Sequence, residues 1–430
     1  MGAERQLVEF DFHDTVEFRQ RELGFVEHGT GDTARGRQQR QLPGHVAHTI
    51  TPHAIPSRAH LGAIRGGPAR MKGSMFAMTR LLAALFAVAL ATAACGGDTA
   101  KPSTTASSNN NLVDIGQGLK GPSGLHASTY ATGLAKAAAL AFDDQGRLWV
   151  ATADYSDTGL DGLYVVTQSG ATPIEVLSGL HTPLGLLWYQ QSLYVASKES
   201  VDAYEGFNGT AFASHHNVVT LPAGVGELNG LVLSPSGRVQ LGISAPCDHC
   251  VPTSEFSAAV VSFLPDGTDL RVDAKGIRAP IGLTYFPGSS DLFVTMNQRD
   301  DLADATPGDL LSVVQQGTDW RFPDCYGQGG AVCDGVPQPV ASLDKHAAVS
   351  GISIVTGQLG RSVGTAAIVA EWQIGVVQQV SLVKTGSTYT GTVTPFITGL
   401  KNPVPVVLGP DGALYIGDWT TGTIYRITST

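Results

Sequence analysis

The sequence repeats one short motif, in which glycine and a large aliphatic residue lead through a loop into proline and a further apolar run. The motif occurs at residues 179–186 (GLHTPLGL), 276–283 (GIRAPIGL) and 399–406 (GLKNPVPV), and a looser copy occupies 133–140 (GLAKAAAL). Self-similarity at intervals of a few tens of residues indicates a fold assembled from similar units.

A turn and a second apolar strand follow each motif. The predicted turns are centred near Gly146, Gln191, Gly237, Ser289, Gly360 and Gly412. Their spacing of roughly 45 to 70 residues suits four-stranded propeller blades with loops of variable length. Sustained helical periodicity is missing from the sequence. We therefore predict an all-β, six-bladed β-propeller over residues 112–430. A seventh blade would have to lie in the long interval between Ser289 and Gly360.

The first 94 residues differ from the rest. Residues 1–70 hold six of the twelve histidines, nine arginines and no lysine, and they follow neither strand nor helix periodicity for long. We interpret them as a spurious, over-extended start or as a disordered N-terminal extension. Residues 71–94 combine two cations with the apolar run LLAALFAVAL at 81–90, which is typical of a signal peptide.

A cysteine follows the signal peptide directly. Residues 91–95 (ATAAC) resemble the bacterial lipobox, which implies that Cys95 is lipidated and becomes the mature N-terminus. Thr92 stands where the lipobox usually has leucine, so ordinary cleavage within the alanine run is the alternative. The small polar residues of 95–111 suit a flexible tether. We expect an exported protein, either a bacterial cell-envelope lipoprotein or secreted, which touches membranes only through its lipid anchor.

The charge balance excludes one class of partner. The whole chain has a formal net charge of −10, and after residue 94 it carries 16 Lys and Arg against 29 Asp and Glu. Nucleic acid requires a basic face, so we expect no nucleic-acid partner.

Four cysteines remain after Cys95, in two local pairs. Cys247 and Cys250 are three residues apart, and Cys325 and Cys333 are eight apart. In an oxidising compartment an even number of closely spaced cysteines predicts disulfides within the pairs. A zinc site is the alternative, although the gap between Cys325 and Cys333 is wide for a zinc knuckle.

The densest polar stretch is residues 297–309 (NQRDDLADATPGD). Carboxylate oxygens are the ligands that hard cations such as Ca²⁺ prefer. The candidate metal ligands are Asp300, Asp301, Asp304 and Asp309. A solvated acidic loop is the alternative interpretation.

Together these features resemble a known family. The motif at 276–283, the acidic loop, and the run GTDWRFPDCYG at 317–327 are similar to the quinoprotein glucose/sorbosone dehydrogenases, as are CDHC at 247–250 and GTIYRI at 422–427. The resemblance covers most of residues 125–430. It implies a six-bladed propeller that holds pyrroloquinoline quinone (PQQ) and calcium at its axial mouth and oxidises sugars.

The resemblance also suggests site residues. Arg278 matches an arginine near the quinone, although Ala279 replaces the following asparagine, and Trp372 matches a tryptophan on the fifth blade. The catalytic histidine of the family would fall at Gly226 or Glu227. A buried carboxylate with a raised pKa can act as a base, so Glu227 is one candidate for this role, and His346 is the other. For each, an ordinary rim or structural position is the alternative.

These observations favour a PQQ-dependent sugar dehydrogenase-like protein with a diverged active site that acts on or binds a saccharide. Because fold does not determine function, two alternatives stay open. One is a non-catalytic propeller that binds a saccharide or a protein partner. The other is a metal-dependent lactonase-like propeller.

Overall fold

The computed structural model of the protein describes residues 111–430. The predicted extension at 1–70, the signal peptide at 71–94 and Cys95 lie outside the described residues, as does all but the last residue of the tether at 95–111. Within residues 111–430 no α-helix is present, and no helix is long and apolar enough to cross a membrane.

The described chain forms 27 strands, and its first three precede the first complete blade. These are β1 (Val113–Gly116), β2 (Leu119–Gly121) and β3 (Leu125–Ala131). Strands β1 and β2 form a small antiparallel hairpin. Blade 1 consists of β4 (Ala137–Phe142), β5 (Leu148–Thr152), β6 (Asp161–Val166) and β7 (Ile174–Leu180). Blade 2 consists of β8 (Gly185–Tyr189), β9 (Ser192–Ser197), β10 (Ser200–Glu205) and β11 (Ser214–Thr220).

Blades 3 and 4 share an insertion. Blade 3 consists of β12 (Leu228–Leu233), β13 (Val239–Ile243), β14 (Ala259–Phe263) and β15 (Arg271–Lys275). Blade 4 consists of β16 (Ala279–Tyr285), β17 (Leu292–Asn297), β18 (Gly308–Val314) and β20 (Ala341–Lys345). The insertion between β18 and β20 carries β19 (Thr318–Asp319). Strand β19 pairs in parallel with β15 and so extends blade 3. Two short 3₁₀ helices span Ala303–Ala305 and Ala331–Cys333.

The last two blades complete the ring. Blade 5 consists of β21 (Val349–Thr356), β22 (Thr365–Glu371), β23 (Val376–Thr385) and β24 (Thr388–Ile397). Blade 6 consists of β25 (Pro403–Leu408), β26 (Leu414–Asp418) and β27 (Thr423–Ser429), together with β3 from the start of the described chain. Ile424 pairs with Ala131 and Ile427 with Ala127. This closure confirms the predicted pairing of the last strand with the segment near Tyr130.

The six-bladed architecture is confirmed. Each predicted turn joins the innermost strand of a blade to its second strand, as at Gly237, whose φ of 82° suits glycine. The innermost strands contact one another in a ring, in the order β4, β8, β12, β16, β21, β25 and back to β4. The alternative of a seventh blade is wrong, because the long interval between Ser289 and Gly360 holds the insertion with β19.

The repeated motif leads into an innermost strand each time, and the second glycine, present in the copies at 179–186 and 276–283, has a packing reason. A Cβ atom at Gly185 would collide with the carbonyl oxygen of Asn229 on the next innermost strand, and one at Gly282 would collide with that of Ser350. Neighbouring innermost strands therefore approach so closely near the axis that a side chain does not fit. The core lies between successive blades, where Trp149, Phe263, Phe293 and Phe396 are fully buried.

One end of the propeller collects the polar candidates. The innermost strands begin at this end. The loops that join the second and third strands of each blade lie there too. We call this end the upper mouth. All of the predicted site residues on these connecting segments are therefore brought to the same face.

Candidate functional site

The upper mouth holds most of the predicted site residues. Glu227, Arg278 and His346 lie just before the innermost strands of blades 3, 4 and 5. The acidic loop at 298–307 joins the second and third strands of blade 4, and Trp372 directly follows the second strand of blade 5. Asp309 differs from these, because it lies within β18 and is only 3% exposed.

Arg278 is bound to a residue that the sequence did not nominate, Asp248. Its Nη2 lies 2.5 Å from Asp248 Oδ1, and its Nε donates to the Asp248 carbonyl oxygen at 3.1 Å. The Asp248 carboxylate also accepts from the backbone N–H groups of Asp300 (3.0 Å to Oδ1 and 3.2 Å to Oδ2) and Asp301 (3.1 Å). Asp248 therefore joins the start of blade 4 to the acidic loop.

Asp300 and His346, predicted for two different roles, form a pair. His346 Nδ1 lies 2.8 Å from Asp300 Oδ1. A neutral imidazole that donates its Nδ1–H to a carboxylate presents Nε2 as a proton acceptor. His346 is exposed, so a ligand at the upper mouth can reach it. The contact with Asp300 orients the imidazole, and the catalytic role of His346 stays a prediction.

Asp301 is paired with Arg299. The guanidinium binds the carboxylate through two contacts, 2.5 Å from Nε to Oδ1 and 2.6 Å from Nη2 to Oδ2, and it holds the pKa of Asp301 below its usual range. Arg299 is buried, with its guanidinium carbon 4.8 Å from the centre of the Tyr326 ring. At Asp304 the backbone carbonyl accepts from Lys345 Nζ at 2.9 Å. We call Asp248, Arg278, Arg299, Asp300, Asp301 and His346 the charged cluster.

Asp309 fastens the acidic loop to the next blade. Its carboxylate accepts from the backbone N–H groups of Gln298 (2.8 Å) and Val349 (3.2 Å). Burial raises the pKa of Asp309 to about 7. In blade 1, Asp161 makes the corresponding contacts to Asp154 N (2.9 Å) and Thr182 N (3.0 Å). An aspartate at the matching position of blade 1 makes the same pair of hydrogen bonds, so the contacts of Asp309 belong to the repeated structure of the propeller.

Glu227 is exposed, so it does not have the burial on which its predicted role as a base depended. Its backbone carbonyl accepts from Ser244 N at 3.0 Å. Tyr155, on the connecting loop of blade 1, is 36% exposed. Desolvation, followed by the negative charges of Glu227 and Asp161, raises the pKa of Tyr155 above its ordinary value.

The blades on the other side of the upper mouth contribute aromatic rings. The Trp372 and Trp419 rings meet edge to face with centres 5.9 Å apart, and Lys136 Nζ lies 3.5 Å from the centre of the Trp419 ring. Trp419 Nε1 donates to the carbonyl of Ala153 in blade 1 at 2.9 Å, and Asn402 Nδ2 donates to the carbonyl of Trp372 at 3.0 Å. We call Lys136, Trp372 and Trp419 the aromatic cluster.

Both predicted disulfides are present. The Cα atoms of Cys247 and Cys250 are 6.0 Å apart, and those of Cys325 and Cys333 are 5.2 Å apart. The alternative of a zinc site is therefore wrong. The first disulfide closes the short turn that carries Asp248, and the second closes the insertion that carries Tyr326. The placement of an aspartate between two closely spaced cysteines was the one sequence feature that could have identified Asp248.

The described donors do not fit calcium and PQQ. Within residues 111–430 no three His, Cys, Asp or Glu side chains are grouped to hold a metal ion, and the carboxylates of Asp300 and Asp301 already have cationic or imidazole partners. PQQ carries three carboxylates, whereas Arg278 is already paired with Asp248. A tricarboxylate at this place would meet Asp300 and Asp301 without a further unpaired guanidinium in the charged cluster. The cofactor prediction stays a prediction, and these contacts argue against it.

Comparison with solved structures identifies the fold. The chain is similar to PQQ-bound aldose sugar dehydrogenase from Streptomyces coelicolor, with 20% identity, a TM-score of 0.57, and 72% of this chain and 100% of that chain covered. It is similar to the holo PQQ domain of pyranose dehydrogenase from Coprinopsis cinerea, with 15% identity, a TM-score of 0.59 and coverage of 72% and 97%. A calcium structure of a carbohydrate-active enzyme from Trichoderma reesei gives 15% identity, a TM-score of 0.60 and coverage of 75% and 100%.

These likenesses confirm the expected resemblance at the level of the fold: the protein is a six-bladed propeller similar in fold to the solved sugar dehydrogenases. Identities of 15 to 20% establish nothing finer, so the sugars and cofactors belong to those proteins. No protein-family model matches the sequence, and no curated protein matches it.

Proposed function

We propose that this propeller binds a saccharide at its upper mouth, through an active site that has diverged from those of the sugar dehydrogenases. The observation that carries the proposal is the His346–Asp300 pair, 2.8 Å from Nδ1 to Oδ1, at an exposed position of the upper mouth. The backbone of Trp372 and Gln373 donates to the carbonyls of Ala348 and Ala347, directly after His346. The segment that follows His346 therefore adjoins the segment that carries Trp372.

This combination suits the chemistry of a sugar. Saccharide hydroxyls donate to carboxylate and imidazole acceptors and accept from N–H groups. Binding sites commonly combine aromatic surface with a few placed polar groups of this kind. His346, oriented by Asp300, can take a proton from a hydroxyl through Nε2. Oxidation of the sugar also requires a hydride acceptor, and we derive no such step because the described donors do not fit PQQ.

The test is a calorimetric titration with a panel of neutral mono- and disaccharides. We expect His346→Ala to weaken binding at least tenfold, a loss of about 1.4 kcal/mol. His346→Gln keeps a hydrogen-bonding group and should lose less. His216→Ala, which removes an exposed histidine from β11, is the matched control and should bind like the unmodified protein. A panel without any binding, or unchanged binding by His346→Ala, would refute the proposal.

A second candidate function is PQQ-dependent sugar oxidation, which is favoured by the fold likeness to PQQ-bound dehydrogenases. It is tested by titrating the purified protein with PQQ and Ca²⁺ and then assaying aldoses with an artificial electron acceptor. Quinone binding with sugar oxidation would establish this function and would contradict the fit of the donors described above. The lactonase-like alternative lacks support, because residues 111–430 contain no grouped metal ligands of the types His, Cys, Asp and Glu.

We also propose that the protein is exported and anchored through Cys95, on the basis of the apolar run at 81–90 and the sequence ATAAC at 91–95. Cys95→Ser should release the protein from the membrane fraction. A Cys95→Ser protein that still sediments with membranes would contradict the anchor. A mature N-terminus upstream of Met71, mapped by mass spectrometry, would contradict the export signal.

A further inference from the structure

The strongest further observation is a set of donors that converge on the Asp248 carboxylate. Oδ1 lies 2.5 Å from Arg278 Nη2 and 3.0 Å from Asp300 N, and Oδ2 lies 3.2 Å from Asp300 N and 3.1 Å from Asp301 N. A guanidinium and two successive backbone N–H groups therefore surround one carboxylate.

This donor set is one that proteins use to bind free anions. Guanidinium groups bind carboxylates and phosphates with charge-assisted hydrogen bonds, and successive backbone N–H groups form concave anion sites. Here the donors are distant from Asp248 in the sequence: Arg278 is 30 residues away, Asp300 is 52 and Asp301 is 53.

Only the packing of blade 3 against blade 4 brings the donors together. The site is therefore built by the tertiary structure.

We call the guanidinium of Arg278 and the backbone N–H groups of Asp300 and Asp301 the receptor. We infer that the Asp248 carboxylate occupies this receptor as an anion of the protein itself and makes the upper mouth selective for neutral saccharides over acidic ones. This inference rests on the proposed saccharide binding for its choice of ligand. Arg278 is already paired with Asp248, and Arg299 with Asp301, so a second carboxylate at this place would find no unpaired guanidinium in the charged cluster. Acidic sugars and anionic cofactors are thereby disfavoured.

The turn that carries Asp248 is held in place by covalent and backbone contacts. The Cys247–Cys250 disulfide brackets Asp248 on both sides, and Arg278 Nε also binds the Asp248 carbonyl oxygen at 3.1 Å. The side chain is only partly exposed, at 24%. Asp248 is thus a specificity-determining residue that acts by occupying the donors.

The test compares glucose with glucuronate, which differ by one carboxylate, in the unmodified protein, Asp248→Ala and Asp248→Asn. We expect the unmodified protein to prefer glucose at least tenfold. Asp248→Ala should reduce this preference at least tenfold, because Arg278 and the two N–H groups become available. Asp248→Asn keeps a side-chain oxygen for the N–H groups but loses the charge, so it should reduce the preference by a smaller factor. If Asp248→Ala fails to fold, Asp248→Asn carries the test.

A second measurement uses acetate and needs no saccharide. Acetate should raise the melting temperature of Asp248→Ala relative to chloride at equal ionic strength, and Arg278→Gln in the same background should abolish this effect. Stabilisation by acetate without binding of any sugar would uphold the receptor and refute the proposed function. Glucose binding with an unchanged preference for glucose over glucuronate in folded Asp248 variants, and without stabilisation by acetate, would refute the receptor and uphold the function.

Discussion

The charged cluster and the aromatic cluster lie at the same end of the propeller and are held in different ways. In the charged cluster, side chains bind other side chains and loop N–H groups, as in the contacts of Asp248 to Arg278 and to the acidic loop. In the aromatic cluster, contacts cross the closure of the ring: Trp419 Nε1 donates to Ala153, and Lys136 N donates to the Trp419 carbonyl. If the upper mouth binds a ligand as proposed, we expect changes in the charged cluster chiefly to alter ligand selection and changes in the aromatic cluster chiefly to alter stability.

Among the acidic residues at the upper mouth, Asp309 should have the largest effect on the free energy of unfolding. Burial raises its pKa to about 7, so between the ordinary carboxyl pKa and 7 the folded state binds a proton that the unfolded state has lost. Stability must then fall as pH rises through this window. From pH 5 to pH 8 we expect the unmodified protein to lose about 3 kcal/mol relative to Asp309→Asn.

The measurement is urea unfolding of both proteins at several pH values. Asp304→Asn, in the exposed part of the same loop, is the matched control and should follow the unmodified protein. Parallel curves for the unmodified protein and Asp309→Asn would show that Asp309 ionises normally. Burial also raises the pKa of Glu371 to about 7, so Glu371 adds to the pH dependence in the same direction and equally in all three proteins.

The propeller could be predicted from the sequence because its determinants are local. Glycine turns such as the one at Gly237, strand alternation and the repeated motif each act over a few residues. The closing strand β3 was also predictable in outline, since a ring of six blades has to be completed by one of its termini. The parallel strand β19 was not predicted, because two residues leave no periodic pattern.

The site was predictable only residue by residue. Arg278, Asp300 and His346 were nominated separately, but their contacts depend on how neighbouring blades pack, which sequence spacing does not show. His346 meets Asp300 across 46 residues, and Arg278 meets Asp248 across 30. Asp309 was grouped with the metal candidates because a count of carboxylates does not reveal which of them is buried inside a strand.

Trp419 should give the largest effect in the aromatic cluster. Trp419→Ala removes a ring packed against Trp372 and the hydrogen bond to Ala153, and we expect a loss of roughly 2 to 3 kcal/mol of unfolding free energy. Trp419→Phe keeps a ring without the donor, so it should lose about 1 kcal/mol. Chemical denaturation measures both. Equal losses for the two variants would show that the hydrogen bond, and not the ring, holds this side of the mouth.

Both disulfides should contribute to stability, but only Cys247–Cys250 should also affect ligand selectivity. Removing either one as a double serine variant should cost about 2 to 3 kcal/mol, with the longer loop of Cys325–Cys333 costing slightly more. Only Cys247→Ser with Cys250→Ser should also reduce the preference for glucose over glucuronate, because that turn carries Asp248. Unfolding curves and calorimetric titrations of both double variants check this. Equal changes in selectivity would mean that the position of Asp248 does not depend on its own disulfide.

Lys136 should give the smallest effect, and it tests whether the aromatic cluster depends on charge. Its Nζ lies 3.5 Å from the centre of the Trp419 ring, and both residues are half-buried. A cation–π contact that keeps access to solvent contributes about 0.5 to 1 kcal/mol. Lys136→Met keeps much of the aliphatic stem, so we expect a loss within that range. Lys401→Met, in the exposed segment before β25, is the matched control and should change stability by less. A loss for Lys136→Met as large as that for Trp419→Ala would break the distinction drawn between the clusters, because the aromatic side would then depend on charge as the charged side does.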